Sequence, residues 1–306
     1  MQKVLIIQTN SASHLLLDTA LFRCMKTQWP QVEIHLVVDE AFVHLVQHNR
    51  NLSQIFSYHN NLKALQADFH LHGYDTIVDL QNDYVSQQMI AGLDAEHYYA
   101  KPRGFLTRLF SGFKSHLARI DYIFGIVKDL KVQYDEKGPD FRFPAEEGIQ
   151  ATDIPTSHAA GYICILLNKT LDADALKIVC ERINHPIILL GTKADQAAGE
   201  EIAATDSVKI YNAAGKFSFN ETADLIRKSK LLVAEPNEYL YIAINYNLPS
   251  VVLARHKKEL QDVKRAYVSA LKTNLKPPAF LYDSGFIQRQ KTTELSDKIQ
   301  QMLLSR

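Results

Sequence analysis

Short aliphatic runs, each bounded by turn formers and followed by a helix-length stretch, recur along this chain and constrain its fold more than any other feature. Residues 4–7 (Val-Leu-Ile-Ile), 33–38, 54–58 and 76–80 read as strands, the first fully apolar, of the kind parallel sheets bury on both faces. Helical stretches are expected between and after them at 15–27, 41–47, 62–70 and 120–130. Residues 87–135 are less periodic, and 136–155 are rich in Gly, Pro and charge, which marks a linker. The alternation then restarts. Strands are expected at 162–167, 186–190, 208–211, 231–234 and 251–253, with helices at 172–182, 195–203, 219–228, from 239, at 259–272 and at 293–304. Strand–helix alternation at this spacing predicts right-handed βαβ sheets. The pattern divides into a first domain over 1–150 and a second over 151–306, whose amphipathic terminal helix is a candidate to pack back on the first domain.

Composition narrows the function classes. Lys plus Arg (34) equals Asp plus Glu (34), which leaves no electrostatic footprint for nucleic acid or a polybasic membrane patch. No apolar run is long enough to span a bilayer, and the N-terminus enters a strand without a signal-peptide pattern, so the expected location is cytoplasmic. The three cysteines, Cys24, Cys164 and Cys180, are far apart and outside any metal-type pairing; they read as reduced and mostly buried. His70 and His72 have strand-like spacing but no third ligand nearby, so no metal is expected, and nothing in the chain calls for a cofactor.

One stretch carries the most chemistry. Lys230 to Leu253 reads as strand, polar turn, helix, turn, strand, and a tight strand-to-helix turn at the carboxyl edge of a parallel sheet is where α/β proteins place ligands. Its turn reads Glu235-Pro236-Asn237-Glu238, and Tyr241 follows in the helix. The first strand is followed by a small-residue loop with Asn10 and Ser11 ahead of His14, where Ser11 or Ser13 is a plausible helix cap. Tyr98, Tyr99, Tyr239, Tyr241 and Tyr246 are either sugar platforms or core aromatics.

Taken in order, several segments resemble the bacterial lipopolysaccharide heptosyltransferases, glycosyltransferase family 9. Residues 32–38, 49–55 and Tyr74-Asp-Thr-Ile-Val-Asp-Leu-Gln-Asn82 with Ser86 look like the family's first domain. Pro186-Ile-Ile-Leu-Leu-Gly191-Thr with Asp195, residues 199–202 and residues 212–226 are similar to its nucleotide-side domain. The resemblance implies the α/β GT-B fold, two Rossmann-like domains with parallel sheets facing a central cleft. It also implies inverting transfer of a sugar, ADP-heptose being the family donor, to a lipopolysaccharide-core or related glycan. The partners it implies are a nucleotide-sugar and a membrane-anchored glycolipid, met by peripheral contact with the inner membrane. On the acceptor side it points to Asn10, Ser11, Asn82, Ser86 and the basic pair Lys101 and Arg103. On the nucleotide side it points to Lys169, Gly191, Asp195, Glu235, Asn237, Glu238 and Tyr241.

The chain also departs from the family at its motifs. A Gly-Asp pair, whose Asp is the family's general base, reads Ser13-His14 here. An Asp-Thr-Gly turn followed by His, which holds the diphosphate, reads Pro236-Asn237-Glu238 with Tyr241. An acceptor-side Arg-Ser reads Val85-Ser86, and the loop before the nucleotide-site lysine is shortened to Leu167-Asn-Lys169. A neutral imidazole can take a hydroxyl proton at pH 7, so His14 is the candidate base; the plainer reading is a loop histidine without a task. Lys169 is either a phosphate anchor or a solvated strand-end lysine, and Asp195 either faces a ribose or caps a helix. Two functions follow: a heptosyltransferase-like enzyme, or a pseudo-glycosyltransferase that binds a glycan or a partner protein of envelope synthesis.

Overall fold

In the computed structural model, residues 2–100, 118–167, 173–254, 257–267, 279–282 and 292–304 are described. The chain forms two compact units, residues 1–142 and 143–306.

The first unit is built on a parallel sheet, five-stranded among the described residues, in the order β3-β2-β1-β4-β5. Its strands are β1 (Lys3–Ile7), β2 (Glu33–Asp39), β3 (Gln54–Tyr58), β4 (Thr76–Asp79) and β5 (His97–Ala100). Helices α1 (Ala12–Gln28), α2 (Leu62–His72), α3 (Tyr84–Met89) and α4 (Arg119–Ile126) cover it. Central strand β1 is almost wholly aliphatic because both its faces are covered; Val4, Leu5, Ile6 and Ile7 are fully buried. On one face Leu5, Ile7 and Val37 pack with Phe56, Leu65, Phe69, Ile77 and Met89 beneath α2 and α3. Against α1, Arg23 forms a two-pronged pair with Asp135 (2.8 and 2.7 Å), and Thr19 accepts from the Asp140 N–H (2.8 Å). The helix is therefore covered on more than its sheet side, and Asp18 within it is fully buried.

The second unit has a parallel six-stranded sheet, order β11-β10-β9-β6-β7-β8 among the described residues. Its strands are β6 (Ile163–Leu166), β7 (Ile187–Leu190), β8 (Ile210–Asn212), β9 (Leu232–Ala234), β10 (Ser250–Ala254) and β11 (Ala279–Tyr282). Its helices are α5 (Ala173–Arg182), α6 (Gln196–Ala203), α7 (Phe219–Lys228), α8 (Glu238–Asn245), α9 (Lys257–Ala266) and α10 (Thr292–Leu304). Both strand orders reverse beside the first strand of their sheet, the arrangement of a dinucleotide-binding α/β fold.

Several expectations change. The stretch expected as a helix over 41–47 is a 3-10 turn, Glu40–Leu45, started by the Asp39 carboxylate accepting from the Ala41 N–H (2.9 Å). Strand β5 and helix α3 fall in or beside the stretch read as aperiodic; both are short, and β5 mixes polar and aromatic residues along a sheet edge. The terminal helix packs on its own unit: Leu295 and Ile299 lie in one cluster with Leu176, Val179 and Ile183. Residues 143–150 are held to the second unit by α7, where Asp224 accepts from the Ile149 N–H (3.0 Å) and Lys228 donates to the Ile149 carbonyl (3.0 Å). All three cysteines are buried and unbridged, and burial pushes the Cys24 thiol up to about 11. Among the described residues no helix is long and apolar enough to cross a membrane, and no cluster of three metal-ligating side chains occurs.

Candidate functional sites at the two switch points

In each sheet the strand order reverses between two neighbouring strands, and the loops leaving their carboxyl ends diverge to open a crevice. In the first unit these are the loops after β1 and β4. Gln8 prolongs the ladder by donating its N–H to the Val37 carbonyl (3.0 Å). The next residue, Thr9, donates its N–H to the Gln81 Oε1 (2.7 Å), and the Gln81 amide returns a bond to the Thr9 hydroxyl (3.0 Å). The two loops thus share one glutamine. Asn10 is exposed, and Ser11 caps α1 by accepting from the His14 N–H (3.3 Å). His14 lies in the first turn of α1, half-buried at this edge.

The loop after β4 is organised by Asp79, which is fully buried. Its carboxylate accepts from the N–H groups of Gln81 (3.1 Å) and Asn82 (2.7 Å), from the Ser86 hydroxyl (2.6 Å) and from the Tyr98 hydroxyl (3.4 Å). Asn82 takes a left-handed conformation (φ 49°), which Asn tolerates better than most residues. Its side-chain carbonyl accepts from the Gln87 amide (2.9 Å). Asp83 caps α3, and Ser86 answers by accepting from the Asp83 N–H (3.0 Å). Ser86, expected to face the acceptor, is therefore fully buried and committed to Asp79 and the cap. Lys101 and Arg103 lie outside the described residues.

In the second unit the corresponding loops follow β6 and β9. Lys169, after β6, lies outside the described residues. After β9 the turn delivers Asn237 as the cap of α8, its Oδ1 accepting from the Leu240 N–H (3.0 Å). Glu238 is the first helical residue and sets a negative charge at the positive end of the helix. Pro236 has no N–H to offer. The first-turn donors, which would otherwise suit an anion, are thus partly taken by the chain's own side chains. Tyr239 stacks on Phe219 (5.0 Å between ring centres, 28°), and burial raises its phenol to about 12. Tyr241, expected at the nucleotide, is 4% exposed; burial, then Asp262 and Glu259 of α9, push its phenol well above the usual range. It is a core residue between helices, with its buried ring turned to packing.

Gly191 and Asp195 sit one strand further out, after β7. Asp195 accepts from the Thr192 N–H (2.8 Å) and hydroxyl (2.7 Å), which builds the turn into α6 and fits the capping alternative. A methyl group on Gly191 would lie 3.0 Å from the Asp195 Cβ. His70 is exposed on α2, whereas the His72 ring packs edge-on against His35 (4.9 Å).

Sequence reading missed Asp79, Gln81 and the buried trio Gln8–Asp18–Arg119. The Asp18 carboxylate takes both prongs of the Arg119 guanidinium (2.8 and 2.7 Å) and the Gln8 amide (2.7 Å). For Asp79 a local signal exists: Asp at a strand end, followed after Leu80 by Gln-Asn-Asp, is the pattern of a side chain folding back on its own turn. Arg119 is too far from Asp18 along the chain for any local pattern to join them.

No protein-family model matches this sequence, and no curated protein does. Solved structures match over the whole chain. A glycosyl transferase family 9 protein from Veillonella parvula DSM 2008 is 14% identical, with 100% of this chain and 98% of that one covered at a TM-score of 0.79. The E. coli ADP-heptose lps heptosyltransferase II is 14% identical over 100% and 99% of the two chains at 0.68. E. coli heptosyltransferase WaaC with ADP is 15% identical over 98% and 100% at 0.69. At such identities the likeness establishes the fold: two Rossmann-like α/β units of GT-B type.

Proposed function

We propose that this chain is a divergent glycosyltransferase of family 9 that acts on a bacterial envelope glycan. The observation that carries the reading is the full-length likeness to the family 9 structure, with both switch-point edges retained. In this reading the first unit takes the acceptor and the second the nucleotide-sugar, ADP-heptose being the donor named for the similar E. coli enzymes. The acceptor hydroxyl attacks the anomeric carbon as its proton passes to His14 Nε2 or Nδ1, and the nucleoside diphosphate leaves with the bonding pair, inverting that carbon. Asn10, Ser11 and Asn82 line the acceptor edge; the roles assigned to Lys101 and Arg103, toward the acceptor, and to Lys169, toward the leaving phosphate, rest on the family resemblance alone. The protein works in the cytoplasm, in peripheral contact with the inner membrane where its glycolipid acceptor lies.

A second reading is favoured by one specific observation, the capped and acid-bearing start of α8. A phosphate charge about 5 Å from the Glu238 carboxylate, at an effective dielectric near 20, is repelled by about 3 kcal/mol, roughly a hundredfold in affinity. A protein that kept the scaffold and lost the donor would bind a glycan or a partner enzyme without transfer. Titration with ADP-, UDP-, GDP- and CMP-sugars, followed by melting temperature and by release of nucleoside diphosphate, separates the two. Stabilisation and release by one donor, lost in His14→Ala, supports the enzyme. No shift from any donor at millimolar concentration supports the binding protein.

A further inference from the structure

The loops leaving β1 and β4 at the first switch point are tied together by one side chain, Gln81, which is 6% exposed. Its Oε1 accepts from the Thr9 N–H (2.7 Å) and hydroxyl (3.2 Å). Its Nε2 donates to Thr9 Oγ1 (3.0 Å) and to Asp83 Oδ2 (3.3 Å). The amide is thereby oriented from both ends, because its oxygen must meet the Thr9 N–H and its nitrogen the Asp83 carboxylate. The backbone at Gln81 is held as well, its N–H donating to the buried Asp79 carboxylate (3.1 Å). Asp83 in turn caps α3 through its other carboxylate oxygen, which accepts from the Ser86 N–H (2.9 Å). On the opposite side only Asn10 stands between Thr9 and Ser11, the cap of α1, and His14 follows in the first turn. One neutral side chain thus joins the root of the loop before α1 to the turn that starts α3.

We propose that Gln81 is a positioning residue: it fixes the spacing of the two loops and so holds His14 in register with the acceptor edge. The proposal rests on the reading that the first unit takes the acceptor and that His14 receives its proton. Group transfer needs its reacting atoms held to a fraction of an ångström, and a misplacement of about 1 Å costs about a hundredfold in rate. Gln81 acts through Thr9 and the residues that follow it, and not on the reacting atoms. Its loss therefore lowers the rate of transfer and leaves donor binding, assigned to the second unit, as it was.

Two measurements on the full chain test this. One is nucleoside diphosphate release from ADP-, UDP-, GDP- and CMP-sugars, with delipidated lipopolysaccharide-core oligosaccharide as acceptor; the other is amide hydrogen exchange over residues 9–14. Wild type is expected to turn over with one donor. Gln81→Ala should lower kcat by about ten- to a hundredfold with the donor KM within about twofold. It should also speed exchange over residues 9–14 while β1 stays protected. Thr9→Val keeps the N–H bond to Gln81 and loses the hydroxyl contacts, so it should lower kcat by less than about fivefold. A wild-type kcat in Gln81→Ala overturns the positioning role and leaves the transfer reading standing. So does a fall in kcat without faster exchange over residues 9–14. A fall that comes with a lower melting temperature and a raised donor KM assigns Gln81 to folding and overturns the role as well. No release by wild type from any donor overturns the transfer reading and the positioning role together.

Discussion

Asn237 closes the first turn of α8 with one side-chain hydrogen bond, which makes it a direct probe of how that turn is built. Asn237→Ala removes the cap and should cost about 1 kcal/mol in urea denaturation, whereas Asn237→Asp should cost little, because Asp caps as well. A loss near zero for the alanine variant would mean that the turn is held by its flanking strands alone. Sequence reading placed Asn237 at a nucleotide; an Asn ahead of a helix serves as cap or as ligand donor, and only geometry decides. His35 supplies a second residue-scale prediction. It is buried, bonded through Nδ1 to the Tyr74 hydroxyl (3.0 Å), and burial, His72 and Lys3 lower its pKa to about 4. Between about pH 6.5 and pH 4 the unfolded chain takes a proton that the folded chain refuses, so stability falls with pH across that window and levels off below it. The contribution is on the order of 3 kcal/mol from the shift. His35→Phe should flatten that part of the stability-versus-pH curve; an unchanged slope would show that the site protonates without penalty.

At the scale of elements, the strands most apolar in sequence are those the structure buries on both faces, β1, β6, β7 and β9. An unbroken aliphatic run bounded by turn formers has few other uses. What escaped was set by tertiary context. Edge strand β5 is four residues long and reads His-Tyr-Tyr-Ala, without period or apolar run. Helix α1 has a polar residue, Asp18, facing inward, and its partner Arg119 arrives on α4. That pair is the element-level test. Asp18 is wholly buried and Arg119 nearly so, and removing one partner leaves the other charge uncompensated in the interior. Asp18→Ala and Arg119→Ala should each destabilise by about 3–5 kcal/mol. The double variant should lose clearly less than the two single losses together, because the second removal strands no further charge. Additive losses would show that each side chain is held by independent contacts, Gln8 for Asp18 and the Tyr122 ring for Arg119 (5.7 Å).

At the scale of the whole molecule, each unit carries its own sheet, its own core and its own switch-point edge, so the two should be separable as folding units and as ligand sites. The fold was legible in sequence because the strand–helix alternation repeats across the linker, a pattern long enough to survive errors at any one boundary. The sites were less legible, since whether a turn's donors face a ligand or its own side chains depends on distances no spacing rule encodes. Fragments 1–142 and 143–306 are expected each to melt cooperatively, with enthalpies of about 100 kcal/mol near 60 °C. The lipopolysaccharide-core oligosaccharide should then raise the melting temperature of 1–142 alone. A nucleotide-sugar, if any binds, should raise that of 143–306 alone, by several degrees at about a hundred times its dissociation constant. A nucleotide-sugar that stabilised 1–142 would reverse the assignment of donor and acceptor sides. If the glycan stabilises its fragment while no donor stabilises the other, the capped start of α8 has ended transfer and left a glycan-binding protein on the transferase scaffold.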